Sequence, residues 1–483
     1  MRRIATPLTF TAVGMCIILL IKASIPPLVF VFFAIICAAL GIGGIHCSGD
    51  VWRKRGLSCI AGALGLLLGV VLLLTMEYET DYLVTGTEMT RIDAFNGFMT
   101  ADSEPLQDKL NVCTVQLISV SADNNSFFSE AHGILKLFIK SGENFYAGEL
   151  ISVHGRLKKN VKDFPHQIIS WVDADDVRRS GFISWFYKIR YDIFKWCEFH
   201  IKLMGDPQSS LFKALFLGDR KGLDGELKHN FYNTGSVHLL ALSGLHVGIV
   251  FAFIGLLLFP IPSQKIKIII GSVFVLGYLC LIGPKPALLR ASLMLVMGGV
   301  ALLLERDLNP INILCLSVII ALCFDPASIY TLSFALSYCA VCGILIIGSK
   351  LNSLFIPYLP SFVRFPLSVS LGAQIATLPL ILIFFHQVYP LSFLVALILI
   401  PLVTVFIWTG IVFLGLTLIP FFPLYEIVRY ALAAVYECIR VLSGLFSHIP
   451  IFKLEWQYWY WLPFLALISL FIIPLRRRKS CEL

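Results

Sequence analysis

Apolar residues run through this chain in stretches too long for the core helices of a soluble domain. They lie near 8–22, 26–45, 57–76, 238–260, 266–283, 287–304, 310–324, 328–348, 365–388, 389–418 and 457–475, and a helix needs about 20 such residues to cross a bilayer. Several are short or broken by proline, so length alone does not fix the number of crossings. Between the third and fourth runs the pattern changes. In "LISVHGRLK" (150–158), Ile151, Val153, Gly155 and Leu157 alternate with Ser152, His154, Arg156 and Lys158, the period of two of a half-buried strand. Similar runs at 112–120, 133–140 and 167–173, parted by turns such as "SADNNS", predict a small antiparallel sheet or barrel within 77–180. From 182 to 204 aromatics alternate with Lys and Arg at helical spacing, which predicts an amphipathic helix at the membrane interface. In 421–448, Glu426/Arg429 and Glu437/Arg440 are i,i+3 pairs that neutralise each other on a helix face, so this segment is expected to cross the membrane or to lie along it.

The pattern divides the chain into N-terminal membrane helices (1–76), a β-rich insert (77–180), amphipathic helices and linker (181–236), a membrane core (237–475) and a basic tail (476–483). Composition agrees. The chain is 58% hydrophobic and 14% charged, with a mean hydropathy of +0.84, against about 25% charged residues in soluble domains. The expected fold class is a polytopic α-helical membrane protein carrying a small inserted β domain. The insert holds 16 acidic and 10 basic side chains, so the net charge of +8 conceals +14 on everything else. Arg2, Arg3, "WRKR" at 52–55 and "RRRKS" at 476–480 place both termini in the cytoplasm and the insert outside, because Lys and Arg in short loops stay inside. No small-residue cleavage site follows the first run, so it is expected to be an anchor. Thirteen cysteines are an odd number and sit mostly in apolar segments, where they behave as small hydrophobes.

The candidate chemistry is concentrated in "HLLALSGLHVGIV" (238–250). Ionisable groups at membrane depth face a bundle interior or a wet cavity. On one continuous helix His238, Ser243 and His246 would form a single polar arc, with Gly244 and Gly248 opposite as a small-residue surface for helix packing. Gly235, in the preceding turn "NTGS", belongs to the same packing set. The bland reading is two histidines bonded to backbone carbonyls. Upstream, Asp219 and Arg220 flank a turn and could shape an entrance, although charges beside turns are most often simply solvated. In "LIGPKPALLRASLM" a Pro-broken segment leads to Arg290, where freed backbone groups can line a cavity and the guanidinium either meets phosphate or snorkels to the interface. Several chemistries lack their motif. "GILIIGSK" has the P-loop residues in the wrong order, no H-E-x-x-H or similar metal set occurs, and "ALSGLHVG" lacks the first glycine of a nucleophile elbow. No catalytic residue, metal or cofactor is therefore expected.

Taken together, "LFLGDRKGLDGELKHNFYNTGSVHLLALSGLHVG", "GPKPALLRASLM", "DPASIYTLSFALSYCAVCGILII" and "SLGAQIATLPLILIFFHQVYPLSFLVALILIPLV" resemble, in order, the blocks of the ComEC-type competence family, the inner-membrane proteins of bacterial DNA uptake. The resemblance covers about residues 205–415. It implies an OB-like outer domain at 77–180 and passage of single-stranded DNA through the core, along a path containing Asp219, Arg220, His238, Ser243, His246, Arg290 and Gln374. It also implies an extracytoplasmic DNA receptor, a cytoplasmic ATPase or helicase and a separate nuclease as partners, with self-association allowed. The family's usual Ser is Ala287 here, and the chain stops at "RRRKSCEL" where many members continue into a metallo-β-lactamase-like domain. Arg156, Lys158, Lys159 and Lys162 with Phe164 form a candidate basic, aromatic edge for DNA on the insert. Two other classes stay open: a secondary transporter of a small anion, and an intramembrane hydrolase using Ser243 with His246 as its base.

Overall fold

The computed structural model describes residues 92–453, except 108–109, 123–128, 131–133, 141–143, 155–157, 160–167, 174–175, 284, 307–308, 419–421 and 449–451, together with a few residues between 64 and 71. The expected spans at 8–22, 26–45 and 457–475, most of 57–76 and the basic tail lie outside the described residues. The chain forms two units, Val71–His200 with Leu276–Lys285, and Met1–Val70 with Ile201–Val275 and Pro286–Leu483.

The first unit holds the expected β-rich insert. Its strands are β1 (Ile92–Met99), β2 (Glu104–Gln107), β3 (Leu110–Ala122), β4 (Ser129–Glu130), β5 (Ile134–Lys140), β6 (Glu149–His154), β7 (Lys158–Lys159), β8 (Ile168–Asp173) and β9 (Val177–Phe182). They make one sheet in the order β7-β8-β5-β3-β1-β6-β9, with β2 and β4 pairing β3. All pairs are antiparallel except β5 with β8. Alternation decides which face is closed: Cys113, Val115 and Leu117 of β3, Leu135, Leu137 and Ile139 of β5, and Ile151 and Val153 of β6 point into one core with Phe95 and Met99. Gly97 sits at a register shift between β1 and β3, where a Cβ would lie 2.5 Å from the Gln116 carbonyl oxygen. A side chain there would force the strands apart.

After the sheet comes α1 (Trp185–Lys202). Arg190, Phe194, Cys197 and Ile201 recur every three or four residues and are buried, while Trp185, Ile189, Ile193, Trp196 and Phe199 are exposed. This is an amphipathic helix with an apolar, aromatic outer face.

The helical unit continues with α2 (Gln208–Phe212, running into a π-helical turn at Lys213–Leu217), α3 (Gly225–Asn233), α4 (Val237–Leu240), α5 (Gly244–Leu257), α6 (Gln264–Ile282, whose last turns belong to the first unit) and α7 (Pro286–Leu303). It ends with α8 (Pro310–Phe324), α9 (Leu332–Gly343, continuing through a π-helical turn into Ser349–Leu354), α10 (Ser361–Phe385), α11 (Ser392–Leu416) and α12 (Phe422–Phe446). Local signals set several starts. Asp224 caps α3 by accepting the Glu226 N–H at 3.2 Å, Asn309 caps α8 through the Ile311 N–H at 3.1 Å, and Thr331 caps α9 through the Phe334 N–H at 3.2 Å. Among the described residues five helices are long and apolar enough to cross a membrane: α6, α7, Leu332–Leu354, α10 and α11. α5 and α8 are shorter. α12 is one continuous helix that buries Leu432, Tyr436, Ile439 and Ser443, and its charges are held in the two expected pairs, Glu426–Arg429 at 2.8 Å and Glu437–Arg440 at 2.9 Å.

Glycine brings α9 and α10 together. A Cβ on Gly343 would lie 2.3 Å from the Gly372 carbonyl oxygen, and one on Gly372 would lie 2.7 Å from the Gly348 nitrogen. This is the backbone-to-backbone approach that small residues permit in membranes. The expected pair Gly244 and Gly248 divides. A Cβ on Gly244 would meet the Ala291 Cβ at 3.1 Å, whereas Gly248 faces open space among the described residues.

Candidate functional site

The run 238–250 is not one helix, which corrects the arc expected from helical spacing. The chain makes the single turn α4, becomes extended at Ala241 (φ −81°, ψ 134°) and at Ser243 (φ −124°, ψ 172°), and starts again at Gly244. The sequence explains the break: Ser is a poor interior helix residue and a good N-cap. His246, at the third helical position, takes the place that Glu or Gln holds in a capping box. Its Nδ1 accepts the Ser243 N–H at 3.2 Å and lies 2.9 Å from Ser243 Oγ. A nitrogen that accepts a backbone N–H carries no proton of its own, so the ring proton is on Nε2. His246 is fully buried, and Nε2 makes no hydrogen bond in good geometry, the Leu239 carbonyl being the backbone group beside the ring.

The break still leaves two of the expected residues near His246. His238, on the separate turn α4, and Arg220 are electrostatic neighbours of the His246 ring; both are exposed. Asp219 is engaged locally, 3.5 Å from Lys213 Nζ and accepting the Lys221 N–H at 3.0 Å, the geometry of a turn. Gly235 has φ +70°, and a Cβ there would lie 2.5 Å from the Tyr389 ring, so the position needs glycine for both conformation and space. Gln374 on α10 donates from Nε2 to the Tyr389 carbonyl at 2.9 Å, and its Oε1 is buried without a partner. Gln374, Tyr389 and Gly235 thus link α10 to the loop that enters α4.

Arg290 lies one turn inside α7, beside the contact of Gly244 with Ala291. It is 3% exposed, so it does not snorkel. Nη2 donates to the Ser333 carbonyl at 3.0 Å, Nε is buried without a partner, and the guanidinium lies 5.7 Å from the Phe334 ring centre and 5.0 Å from that of Tyr338. Among the described residues no carboxylate pairs with it. Aromatic faces and one carbonyl satisfy a guanidinium only in part, which leaves a buried cation able to attract an anion. Sequence reasoning passed over Ser292, Ser368 and Ser236, all buried with unpartnered hydroxyls. For Ser292 and Ser236 the signal was a serine beside an already chosen residue, as in "LLRASLM"; Ser368 had none.

Ser243 and His246 also stand at the distance of a nucleophile and its base. The nitrogen that would act as base already accepts a backbone N–H, however, and no described carboxylate orients the ring. The geometry is that of a helix cap. No group of three or more His, Cys, Asp or Glu suited to a metal occurs among the described residues. On the β-rich unit, Lys158 and Lys159 form the two-residue edge strand β7, while Arg156, Lys162 and Phe164 lie outside the described residues.

A helical core with several membrane-length apolar helices and an inserted β domain defines a polytopic membrane protein. Residues 215–480 match the family model described as competence protein, and the chain belongs to that family. It is 33% identical to ComE operon protein 3 of Bacillus subtilis over 217 residues, 44% of this chain and 27% of that protein. It is 32% identical over 228 residues to an uncharacterized protein of Aquifex aeolicus, covering 47% and 52%, and 30% identical over 215 residues to the uncharacterized protein YcaI of Escherichia coli, covering 41% and 28%. The aligned part thus spans from about a quarter to about half the length of these relatives. No solved structure matches the chain. Membership in this family supports a role in competence and DNA uptake.

Proposed function

We propose that the protein passes single-stranded DNA across the cytoplasmic membrane during natural transformation, as a channel and not as an enzyme. The observation that carries the reading is Arg290, a guanidinium buried in an apolar helix core with no carboxylate partner among the described residues. A strand with one negative charge per nucleotide needs a route that attracts phosphate without holding it. One partly satisfied arginine with neutral His, Ser and Gln groups meets that need better than a wall of lysines. On this reading His238, Ser243, His246, Arg290 and Gln374 line the route, Asp219 and Arg220 form the turn at its mouth, and both termini are cytoplasmic. The β-rich unit faces outward and offers its basic edge to DNA. An extracytoplasmic receptor, a cytoplasmic ATPase or helicase and a separate nuclease supply capture, drive and strand degradation. The relative named for a competence operon, ComE operon protein 3, supports the same direction.

The test is a clean deletion complemented by wild type, Arg290→Gln or His246→Gln, with DNA binding, import of labelled DNA and growth measured separately. The expected result is import lowered about tenfold or more by Arg290→Gln with binding, growth and protein level unchanged, from the loss of a charge-assisted phosphate contact. Normal import in Arg290→Gln, or import unaffected by the deletion, overturns the reading. A growth defect that outlasts restored import points to the small-anion transporter instead.

A further inference from the structure

Arg190 is buried on the inner face of α1, 6% exposed, and every nitrogen of its guanidinium is engaged. Nη1 donates to Asp102 Oδ1 at 2.8 Å and Nη2 to Asp102 Oδ2, a two-point grip on one carboxylate. Nε donates to the carbonyls of Cys280 at 3.1 Å and Leu281 at 2.9 Å, and Nη2 also to that of Ile282 at 3.2 Å. These three carbonyls are the last of α6, which have no partner within their own helix and sit at the negative end of its dipole. Asp102 is fixed in turn, since Oδ1 also accepts the Ala147 N–H at 2.9 Å. Gly283 follows with φ +92°, and a Cβ there would meet Arg190 Nη2 at 3.4 Å. Three residues, Gly283–Lys285, then link α6 to α7, the helix that carries Arg290.

We infer that Arg190 is a positioning residue that ends α6 at Ile282 by tying the last α6 carbonyls to Asp102 of the same unit. A guanidinium is required. Its planar fork offers five N–H donors in fixed directions, whereas a lysine ammonium offers three on a mobile stem and cannot serve a carboxylate and three carbonyls together. The consequence for transport rests on the DNA-passage reading; the clamp itself does not.

Hydrogen exchange on the purified full chain in lipid nanodiscs tests the clamp. Arg190→Lys and the exchanged pair Asp102→Arg/Arg190→Asp are each expected to speed exchange of the backbone amides within 279–286 (all but the two prolines) by about tenfold or more, the scale of one lost charge-assisted bond, while β3 and β5 exchange as in wild type. The exchanged pair separates this from a simple ion pair. If Arg190 served Asp102 alone, reversing the charges would restore protection, but a carboxylate at 190 would face three carbonyls. Wild-type exchange at 279–286 in Arg190→Lys, or protection restored by the exchanged pair, overturns the inference. In cells Arg190→Lys is expected to keep DNA binding and protein level while lowering import, and unchanged import refutes the positioning role in transport. If the wild-type chain imports no DNA, the functional reading falls and the exchange result still decides the clamp.

Discussion

In the β-rich unit, buried and half-buried polar groups find partners. Asp102 accepts from Ala147 and Arg190, Glu149 accepts from Tyr146 and Arg179, and Asn96 donates to Ser119. In the helical unit, Asn230, Ser236, His246, Arg290, Ser292, Ser368, Gln374 and Tyr436 each bury a side-chain atom with no hydrogen-bond partner among the described residues. Among the described residues Tyr146 is the single such case in the β-rich unit. A buried polar atom left unpaired costs about 1–3 kcal/mol, so a core built only for stability would replace most of these groups. The contrast is that the sheet satisfies its polar groups locally, whereas the helical core keeps polar atoms that no described neighbour satisfies.

The largest expected effect tests the scaffold half. Phe95 is fully buried in the sheet core with Cys113 and Leu137, and Phe95→Ala should destabilise that unit by about 3–5 kcal/mol. Limited proteolysis of the full chain should then cut within 92–182 while the helical unit stays intact. Equal resistance to protease would mean that the sheet does not carry its own stability.

Packing comes next. Gly372→Ala places a Cβ against the backbone of Gly348 and Gly343, so overpacking of about 1–3 kcal/mol should lower the amount of folded protein. Gly248→Ala, facing open space, should leave it unchanged. The reverse order in detergent-solubilised yield would place the close helix contact where helical spacing had put it.

Arg290→Met sharpens the comparison most directly. A buried charge without a full partner set is replaced by a side chain of similar volume, so thermal stability should stay level or rise, while DNA import falls. If stability drops by several kcal/mol instead, Arg290 is a structural group and the two units follow the same rule.

The sequence made the periodic parts legible. Alternation located β3, β5, β6 and β8 to within a few residues, and the i,i+3 charge pairs of α12 form as spaced. It failed where periodicity was extended through a residue that ends helices: a 100° wheel drawn from His238 to His246 passes through Ser243, whose hydroxyl and backbone favour a cap. The same residues still stand out as candidates, because apolar context singles out polar side chains whatever the local geometry. Arg190 was not legible. In "WFYKIRYDIFKW" Lys188, Arg190 and Lys195 look alike, and only the pairing of β1 with β3 and the end of α6 decide which one is buried. Ser292 and Ser368 were hidden for a related reason, since serine is common in membrane helices and its burial depends on the neighbouring helix.

The smallest effect concerns a buried carboxylate of the sheet, Glu149. Glu149 is 5% exposed; its Oε2 accepts the Tyr146 N–H at 2.9 Å and its Oε1 lies 3.3 Å from Arg179 Nη1. Burial raises its pKa above the usual 4.5, outweighing the Tyr146 N–H and Arg179, which both lower it. A raised carboxyl pKa means that the folded state holds the proton more tightly than the unfolded chain. The associated stability is therefore fully present below the unfolded value and is lost as pH rises through the folded one. Glu149→Gln keeps an acceptor for the Tyr146 N–H and gives up a half-exposed ion pair of about 0–1 kcal/mol, so near neutral pH it should match wild type within about 1 kcal/mol. As pH falls from about 7 towards about 4.5, wild type should gain stability relative to Glu149→Gln, read as slower hydrogen exchange in β5 and β6. If wild type loses ground to the variant over that range, the Arg179 pair outweighs burial, and polar pairing in the sheet is stronger than the comparison with the helical core requires.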